Sequence, residues 1–330
     1  MDLRYLSALA VFAVSLIGTR QLTHHLRRKG LMDIPNARSS HAVPTPRGGG
    51  IAVLFSMVLG FIYLYTQELS LFDGFFFLGL GLVASISFLD DRFTLSPALR
   101  FAVHILAVSL VIYSRGPILN APLPEPLLLH WSFLAWPMTF IWFLGVINIY
   151  NFLDGIDGYA GAQAVVVGLG IMMLYPSPAG MMTGCVIIAA VLGFLVFNWH
   201  PAKIFMGDVG AVSLGFTFAA LPFYLSTDHV EQGVFNVALL LWFFLADGSY
   251  TILRRLSKGE KIWLAHRSHL YQRLNIAGLS HSRIVISILP LQLMLIGTLS
   301  HSQTLAITSA CVAFVAFVFA THYIEGLVKK

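Results

Sequence analysis

The sequence predicts an all-α fold: a polytopic membrane helix bundle of about 11 transmembrane helices, N-terminus outside and C-terminus inside, in a single domain covering residues 1–330. Three observations predict it. Hydrophobic residues make up 57% of the chain against 11% charged, and the mean hydropathy of +0.80 lies outside the range of a soluble domain. The apolar runs are continuous and long enough to cross a hydrocarbon core, whereas a transmembrane barrel would alternate. Finally, all 20 lysines and arginines except Arg4 and Arg115 fall on one side once the runs are threaded back and forth, which places that side in the cytoplasm.

The first run, 3–22, is followed rather than preceded by the basic cluster RRKG, and no small-residue cleavage pattern closes it. It is therefore expected to be a retained span and not a signal peptide. The inner loop 23–47, with Arg38, His41 and Arg47, leads into spans 48–66 and 71–89. The second of these ends in FLDDRF at the inner face, and span 97–113 returns outward. The outer loop 114–130 contains GPILNAPLPEP, whose prolines predict an irregular connection. Span 131–150 runs inward to NFLDGIDG; spans 159–175 and 181–197 form the next outward and inward pair. The loop NWHPAKIFMGD precedes span 209–226, which is followed by span 234–252. The inner loop 253–283 and spans 284–300 and 303–324 complete the chain, and loops 23–47 and 253–283 are the only segments with room for structure outside the membrane. Cys185 and Cys311 lie inside apolar runs and predict neither disulfide nor zinc. The net charge of +5 describes a cytoplasmic face suited to anionic lipid or phosphate, not a nucleic-acid binder.

The 15 acidic residues are few enough to follow individually. Asp2, Glu68, Asp73, Glu125, Asp228 and Glu231 fall outside, where water solvates them. Asp90, Asp91, Asp154, Asp157, Asp208 and Asp247 collect at inner helix ends. Any one of them can be an ordinary helix cap, and Asp247 can pair with Arg254 or Arg255. The adjacent Asp90 and Asp91 repel each other unless a cation or proton is shared. In NIYNFLDGIDG, Asn148, Asn151, Asp154 and Asp157 recur every third residue. A straight helix would turn the fourth group away from the first, so Gly155 and Gly158 predict a break that brings them to one ligand. Amide and carboxylate oxygens together suit magnesium. Asp208, between Gly207 and Gly210, offers a carboxylate at a helix N-terminus.

His266 and His269 flank Arg267 in a basic loop. Their spacing permits zinc, but no third ligand stands nearby; a phosphate or sugar contact suits the neighbouring carboxylates better. The glycines after Arg47 form a turn whose amides could cradle phosphate, without matching a P-loop. Gly79 and Gly81 lie inside a span and predict helix packing, not a dinucleotide site.

In order along the chain, PTPRGGG, FLDDRF, NIYNFLDGIDG, FMGDVGAVSLG and HRSH resemble the motifs of the polyprenyl-phosphate N-acetylhexosamine-1-phosphate transferases, over residues 33–283. The resemblance implies transfer of a sugar 1-phosphate from a UDP-N-acetylhexosamine to undecaprenyl phosphate, with release of UMP and a requirement for magnesium, manganese being the alternative. It implies Asp208 as metal ligand with Asn151 as partner, and Phe205 stacking on uracil. It further implies that Asn148, Asp154 and Asp157 line the nucleotide pocket and that Asp90 and Asp91 support the attack. His266, Arg267 and His269 of the last loop would contact diphosphate and sugar, and Arg47 would bind substrate. HRSH looks like the subgroup that starts O-antigen chains on N-acetylfucosamine or N-acetylquinovosamine, with N-acetylglucosamine the third candidate. The implied location is the bacterial inner membrane, with the site facing the cytoplasm and a homodimer compatible with it. The competing reading, an ion-coupled secondary transporter, expects acids near mid-membrane and a repeat; here the acids sit at one face and no repeat is evident.

Overall fold

In the computed structural model the described residues are 3–35, 39–41, 43–123, 130, 132–226, 229–261 and 266–328. Asp2, Arg38, Glu125, Asp228, Lys329 and Lys330 lie outside them. The helices are α1 (Leu3–Arg28), α2 (Gly50–Thr66), α3 (Gly74–Phe93), α4 (Pro97–Arg115), α5 (Ala135–Leu153), α6 (Tyr159–Leu174) and α7 (Pro178–Asn198). They continue with α8 (Asp208–Leu225), α9 (Val230–Leu240), α10 (Trp242–Ser257), α11 (Leu270–Ile276), α12 (His281–Leu299) and α13 (Gln303–Val328). A two-stranded antiparallel ribbon, β1 (Met32–Asp33) with β2 (Thr45–Pro46), lies between α1 and α2. The protein is thus all-α and polytopic.

Every expected span is helical, but the count differs from 11. Among the described residues, 8 helices are long and apolar enough to cross a membrane, and a bent pair makes up to 9; α2 and α6 are apolar but shorter. The span expected at 234–252 is two helices, α9 and α10, meeting at 80°. Neither proline nor glycine marks this break in the sequence. A distant side chain satisfies it: Gln163 Nε2 of α6 donates to the Leu240 carbonyl at 2.8 Å and in turn accepts from Gln292 of α12. A broken helix is tolerated at membrane depth when protein groups take up the freed backbone polar atoms.

Helix α8 is buried along nearly its whole length and packs against α2, α3, α5 and α9. Small residues set the approach of these helices. A Cβ added at Gly50 would lie 2.3 Å from the Gly210 Cα, and one at Gly215 would lie 2.9 Å from the Ile147 Cα. Without a hydrophobic drive between helices in lipid, van der Waals packing through such close approach helps hold helices together. Gly50→Ala is therefore expected to destabilise by about 1–3 kcal/mol, because backbone must move. Thermal unfolding in detergent checks it against Gly81→Ala, where a Cβ meets nothing within 4 Å and no loss is expected.

At the end of the bundle opposite the site, Asp73 is not simply solvated as the sequence suggested. It caps α3, accepting from the Phe76 N–H at 3.0 Å, and takes the Tyr224 hydroxyl at 2.9 Å with Arg115 at 3.3 Å. It ties α3 to α4 and α8 at that end.

Candidate active site

Four segments distant in sequence meet at one end of the bundle: residues 47–50, the last turn of α3, the break between α5 and α6, and the loop from 199 to 208. The first and last are stitched by backbone. Phe205 N–H donates to the Pro46 carbonyl at 2.8 Å, while Gly48 and Gly49 N–H donate to the Phe205 carbonyl at 3.1 and 2.9 Å. Gly50 N–H donates to Met206 at 2.8 Å. These glycine amides therefore hold the Phe205 loop, a correction to their sequence reading as a phosphate cradle. Gly207 has φ +77°, the left-handed conformation glycine tolerates, and it aims Asp208 from the first turn of α8.

The break after α5 is where the glycines predicted it. The helix ends at Leu153 with Asp154 as its C-cap, and Gly158 at φ +75° starts α6. Gly155 allows Tyr271 of α11 to lie against the break, since a Cβ there would sit 2.0 Å from the Tyr271 hydroxyl. That hydroxyl donates to the Phe152 carbonyl at 3.1 Å, taking up a carbonyl at the helix end.

Charges alternate around the resulting cleft. Arg47 is paired with Asp208 and lies 3.7 Å from Asp91. Arg100, which sequence reasoning used only for topology, pairs with Asp90 at 2.5 Å and lies 4.0 Å from Asp208. Asp90 also accepts from the Leu95 N–H at 2.7 Å, so it closes the end of α3. The two adjacent carboxylates are thus differently engaged, Asp90 by its own helix end and Asp91 by Arg47.

A cavity lies beside them. Its lining includes Asp33, His41, Arg47, Asn151, Asp154, Asp157, Phe205, Asp208, Tyr271, Gln272 and His281. Asn148 is not among the lining residues; its amide donates to the Leu144 carbonyl of its own helix at 2.7 Å. In the sequence His41 is one residue of a basic loop. Its ring lies 4.7 Å from that of Phe205, and its buried Nε2 has no hydrogen-bond partner among the described residues. Only the tertiary fold brings it to Phe205, 164 positions away.

Asp154 and Asp157, three apart, stand in opposite electrostatic situations. Burial lifts the Asp154 carboxyl to about 8; Arg47 opposes this, while Asp208 and Asp157 add to it. Burial also pushes Asp157 up, but hydrogen bonds with His281 and His200 outweigh it and hold this carboxyl below the usual range. His200 Nδ1 lies 2.6 Å and His281 Nδ1 3.2 Å from Asp157 Oδ2, which also accepts from the Ala202 N–H at 3.1 Å. The three side chains have the donor types of a metal site. With His200, His281 and the Ala202 N–H gathered on one carboxylate oxygen, and the Asp157 N–H donating to His281 Nδ1 at 3.3 Å, the arrangement is better described as a clamp that fixes the break against the 199–208 loop.

The sign of the Asp154 effect is testable. Its folded pKa lies above the unfolded value of about 4, so ionisation is easier unfolded and stability falls as pH rises from about 4 to about 8. Asp154→Asn is expected to raise the unfolding temperature at pH 7 and to lose that slope. Unfolding scans at a series of pH values check this; an unchanged slope would refute it.

In the segment between α10 and α12, His269 is buried and caps α11, its N–H donating to Gln272 Oε1 at 3.3 Å. Its Nδ1 lies 3.3 Å from Asp247. Asp247 is fully buried and accepts from the Leu270 N–H at 2.9 Å and from Thr251 at 3.1 Å. It does not pair with Arg254 or Arg255 as the sequence allowed; Arg255 instead pairs with Glu260 at 2.8 Å. His266 lies 2.9 Å from the Ser268 hydroxyl, and burial, with His269 and Arg255 nearby, pulls its pKa down to about 4. It is neutral at pH 7. From this region the cavity lining takes Tyr271, Gln272 and His281, and does not include His266, Arg267 or His269.

The chain is similar to known proteins over most of its length. The family model described as glycosyl transferase family 4 matches residues 74–226, which hold Asp90, Asp91, Asn151, Asp154, Asp157 and Asp208. The chain is 30% identical over 337 residues to the probable undecaprenyl-phosphate N-acetylglucosaminyl 1-phosphate transferase of Bacillus subtilis (strain 168), covering 96% of this chain and 90% of that protein. It is 28% identical over 298 residues to the undecaprenyl-phosphate alpha-N-acetylglucosaminyl 1-phosphate transferase of Escherichia coli (strain K12), covering 83% and 78%. It is 29% identical over 311 residues to the decaprenyl-phosphate N-acetylglucosaminephosphotransferase of Mycobacterium tuberculosis (strain ATCC 25618 / H37Rv), covering 79% and 73%.

Proposed function

The chain belongs to glycosyl transferase family 4, among the polyprenyl-phosphate N-acetylhexosamine-1-phosphate transferases, and from that premise we propose that it transfers an N-acetylhexosamine 1-phosphate from a UDP-sugar to undecaprenyl phosphate at the cytoplasmic face of a bacterial inner membrane. The observation that carries the proposal is the convergence of Asp91, Asp154 and Asp208 with Arg47 beside a cavity walled by Phe205, at the end of the bundle where basic residues collect.

In this reading the uracil ring packs on Phe205, in reach of the orphaned His41 Nε2, and the diphosphate lies towards Arg47. A lipid phosphate is largely dianionic at neutral pH and is already a nucleophile. One of its oxygens attacks the sugar-bearing phosphorus of the UDP-sugar; the bond from that phosphorus to the bridging oxygen breaks, and UMP leaves with the oxygen. Asp91 removes a residual proton or orients the attacking phosphate, Arg100 and the end of α3 hold Asp90 behind it, and the Asp157 clamp keeps the break open.

The residues fit a divalent cation. Asp208, Asn151 and Asp154 present hard oxygens to one cavity, and Asp154 lies half-buried beside like charges that a dication offsets. We place magnesium on Asp208 with Asn151, where it would neutralise the diphosphate and polarise the leaving phosphate.

The donor sugar is the finer part of the proposal. The relatives above are named for N-acetylglucosamine, while HRSH favours the O-antigen subgroup that uses N-acetylfucosamine or N-acetylquinovosamine. Purified protein, undecaprenyl phosphate and magnesium are assayed with each UDP-N-acetylhexosamine, and exchange of radiolabelled UMP into the donor is followed. Chelator-sensitive exchange with one donor and release of UMP are expected. Absence of exchange with every donor in protein of native stability would sink the reading.

A further inference from the structure

A second basic cluster lies away from the carboxylates. The inner half of α1 carries Ile17, Arg20, His24 and Arg27 on one helical face, and these meet Phe197 of α7 and Lys203 around a cavity of about 570 Å3. No carboxylate lines it, and none of the three cations Arg20, Arg27 and Lys203 has an acidic partner within ion-pair distance among the described residues. We propose that this groove binds the headgroup of an anionic membrane phospholipid, its phosphate held by Arg20, Arg27 and Lys203 and an acyl chain lying along Ile17 and Phe197.

Position and charge both argue for a lipid. From Ile17 to Arg27 the helix rises about 15 Å, so the groove runs from hydrocarbon depth to the headgroup layer. Its apolar end is the deeper one, which matches the polarity of a phospholipid, whereas a free anion has no use for that end. The long side chain of Arg20 can reach towards the interface from its deeper position. Anionic headgroups are drawn to clustered Lys and Arg at the membrane surface, and zwitterionic ones much less.

The basic wall is also preformed. Lys203 N–H donates to the Phe197 carbonyl at 2.7 Å, and its own carbonyl accepts from Arg27 Nη2 at 3.3 Å. Two residues on, Phe205 is hydrogen-bonded to Pro46 in the wall of the cavity described above. A headgroup bridging Arg27 and Lys203 would therefore brace the loop that carries Phe205. The inference does not depend on which sugar is transferred, or on transfer at all.

The test uses the full chain, delipidated in a neutral detergent, with binding read by native mass spectrometry and thermal unfolding. Phosphatidylglycerol is expected to bind at least about tenfold more tightly than phosphatidylcholine and to raise the unfolding temperature. The double variant Arg20→Ala/Lys203→Ala, both positions exposed, should unfold as the parent does without lipid and lose that preference. Lys258→Ala/Lys261→Ala removes the same charge elsewhere and should keep it. If the first variant folds poorly, Arg20→Gln/Lys203→Gln takes its place with the same expectation. Equal binding of the two lipids, an equal shift from inorganic phosphate alone, or equal loss in both double variants would each overturn the proposal.

Discussion

Asp208→Asn is expected to lower magnesium-dependent UMP exchange by about 10²–10³-fold, the scale seen when a group that stabilises developing charge is lost from a preorganised site. The argument rests on convergence. Asp208 is approached by Arg47 and Arg100, and both arginines also reach the pair at the end of α3. It is therefore the carboxylate through which the segments share charge, and replacing it alters the field at the whole cleft. Stability should change less than activity, because asparagine keeps the shape of the side chain and Arg47 and Arg100 keep Asp91 and Asp90 as neighbours. Exchange assays and unfolding scans on the same preparation check this. A variant that keeps a tenth of the parent activity would exclude Asp208 as the metal ligand.

Asp247→Ala is expected to behave in the opposite way, with a loss of about 3–5 kcal/mol in stability and a secondary fall in activity. Asp247 is fully buried and is an acceptor for Leu270, His269 and Thr251. Truncation leaves these donors buried and unpaired, each an expensive outcome. Because Tyr271 follows directly and bonds Phe152 at the break, loosening α11 also loosens the cavity wall. Asp247→Asn keeps one acceptor oxygen and should lose less. An unchanged unfolding temperature with lost exchange would instead place Asp247 in the chemistry.

Much of this was legible in the chain. Apolar runs and the end at which Lys and Arg collect follow from transfer energies along the sequence, so the order of the helices and the gathering of acids at their shared end could be read directly. The break at NFLDGIDG was legible because glycine has a local conformational meaning, and Gly158 has the positive φ that residue permits. The break between α9 and α10 was not, because the group that satisfies its backbone is Gln163, 77 residues away from Leu240. Arg100 and His41 were equally hidden: nothing adjacent to either announces an ion pair with Asp90 or a ring on Phe205.

The sequence by itself determined that this protein is a membrane-spanning helix bundle and that its carboxylates gather with basic residues at one end. Those properties depend on hydropathy, charge and glycine, which act locally along the chain. Only the tertiary structure decided what each aspartate does. Asp157 is clamped by His200 and His281, Asp247 anchors α11, Asp90 closes α3, and Asp91, Asp154 and Asp208 remain around the cleft. Identical side chains at helix ends differ only in their partners, and here the partners come largely from helices far apart in sequence that packing brings together.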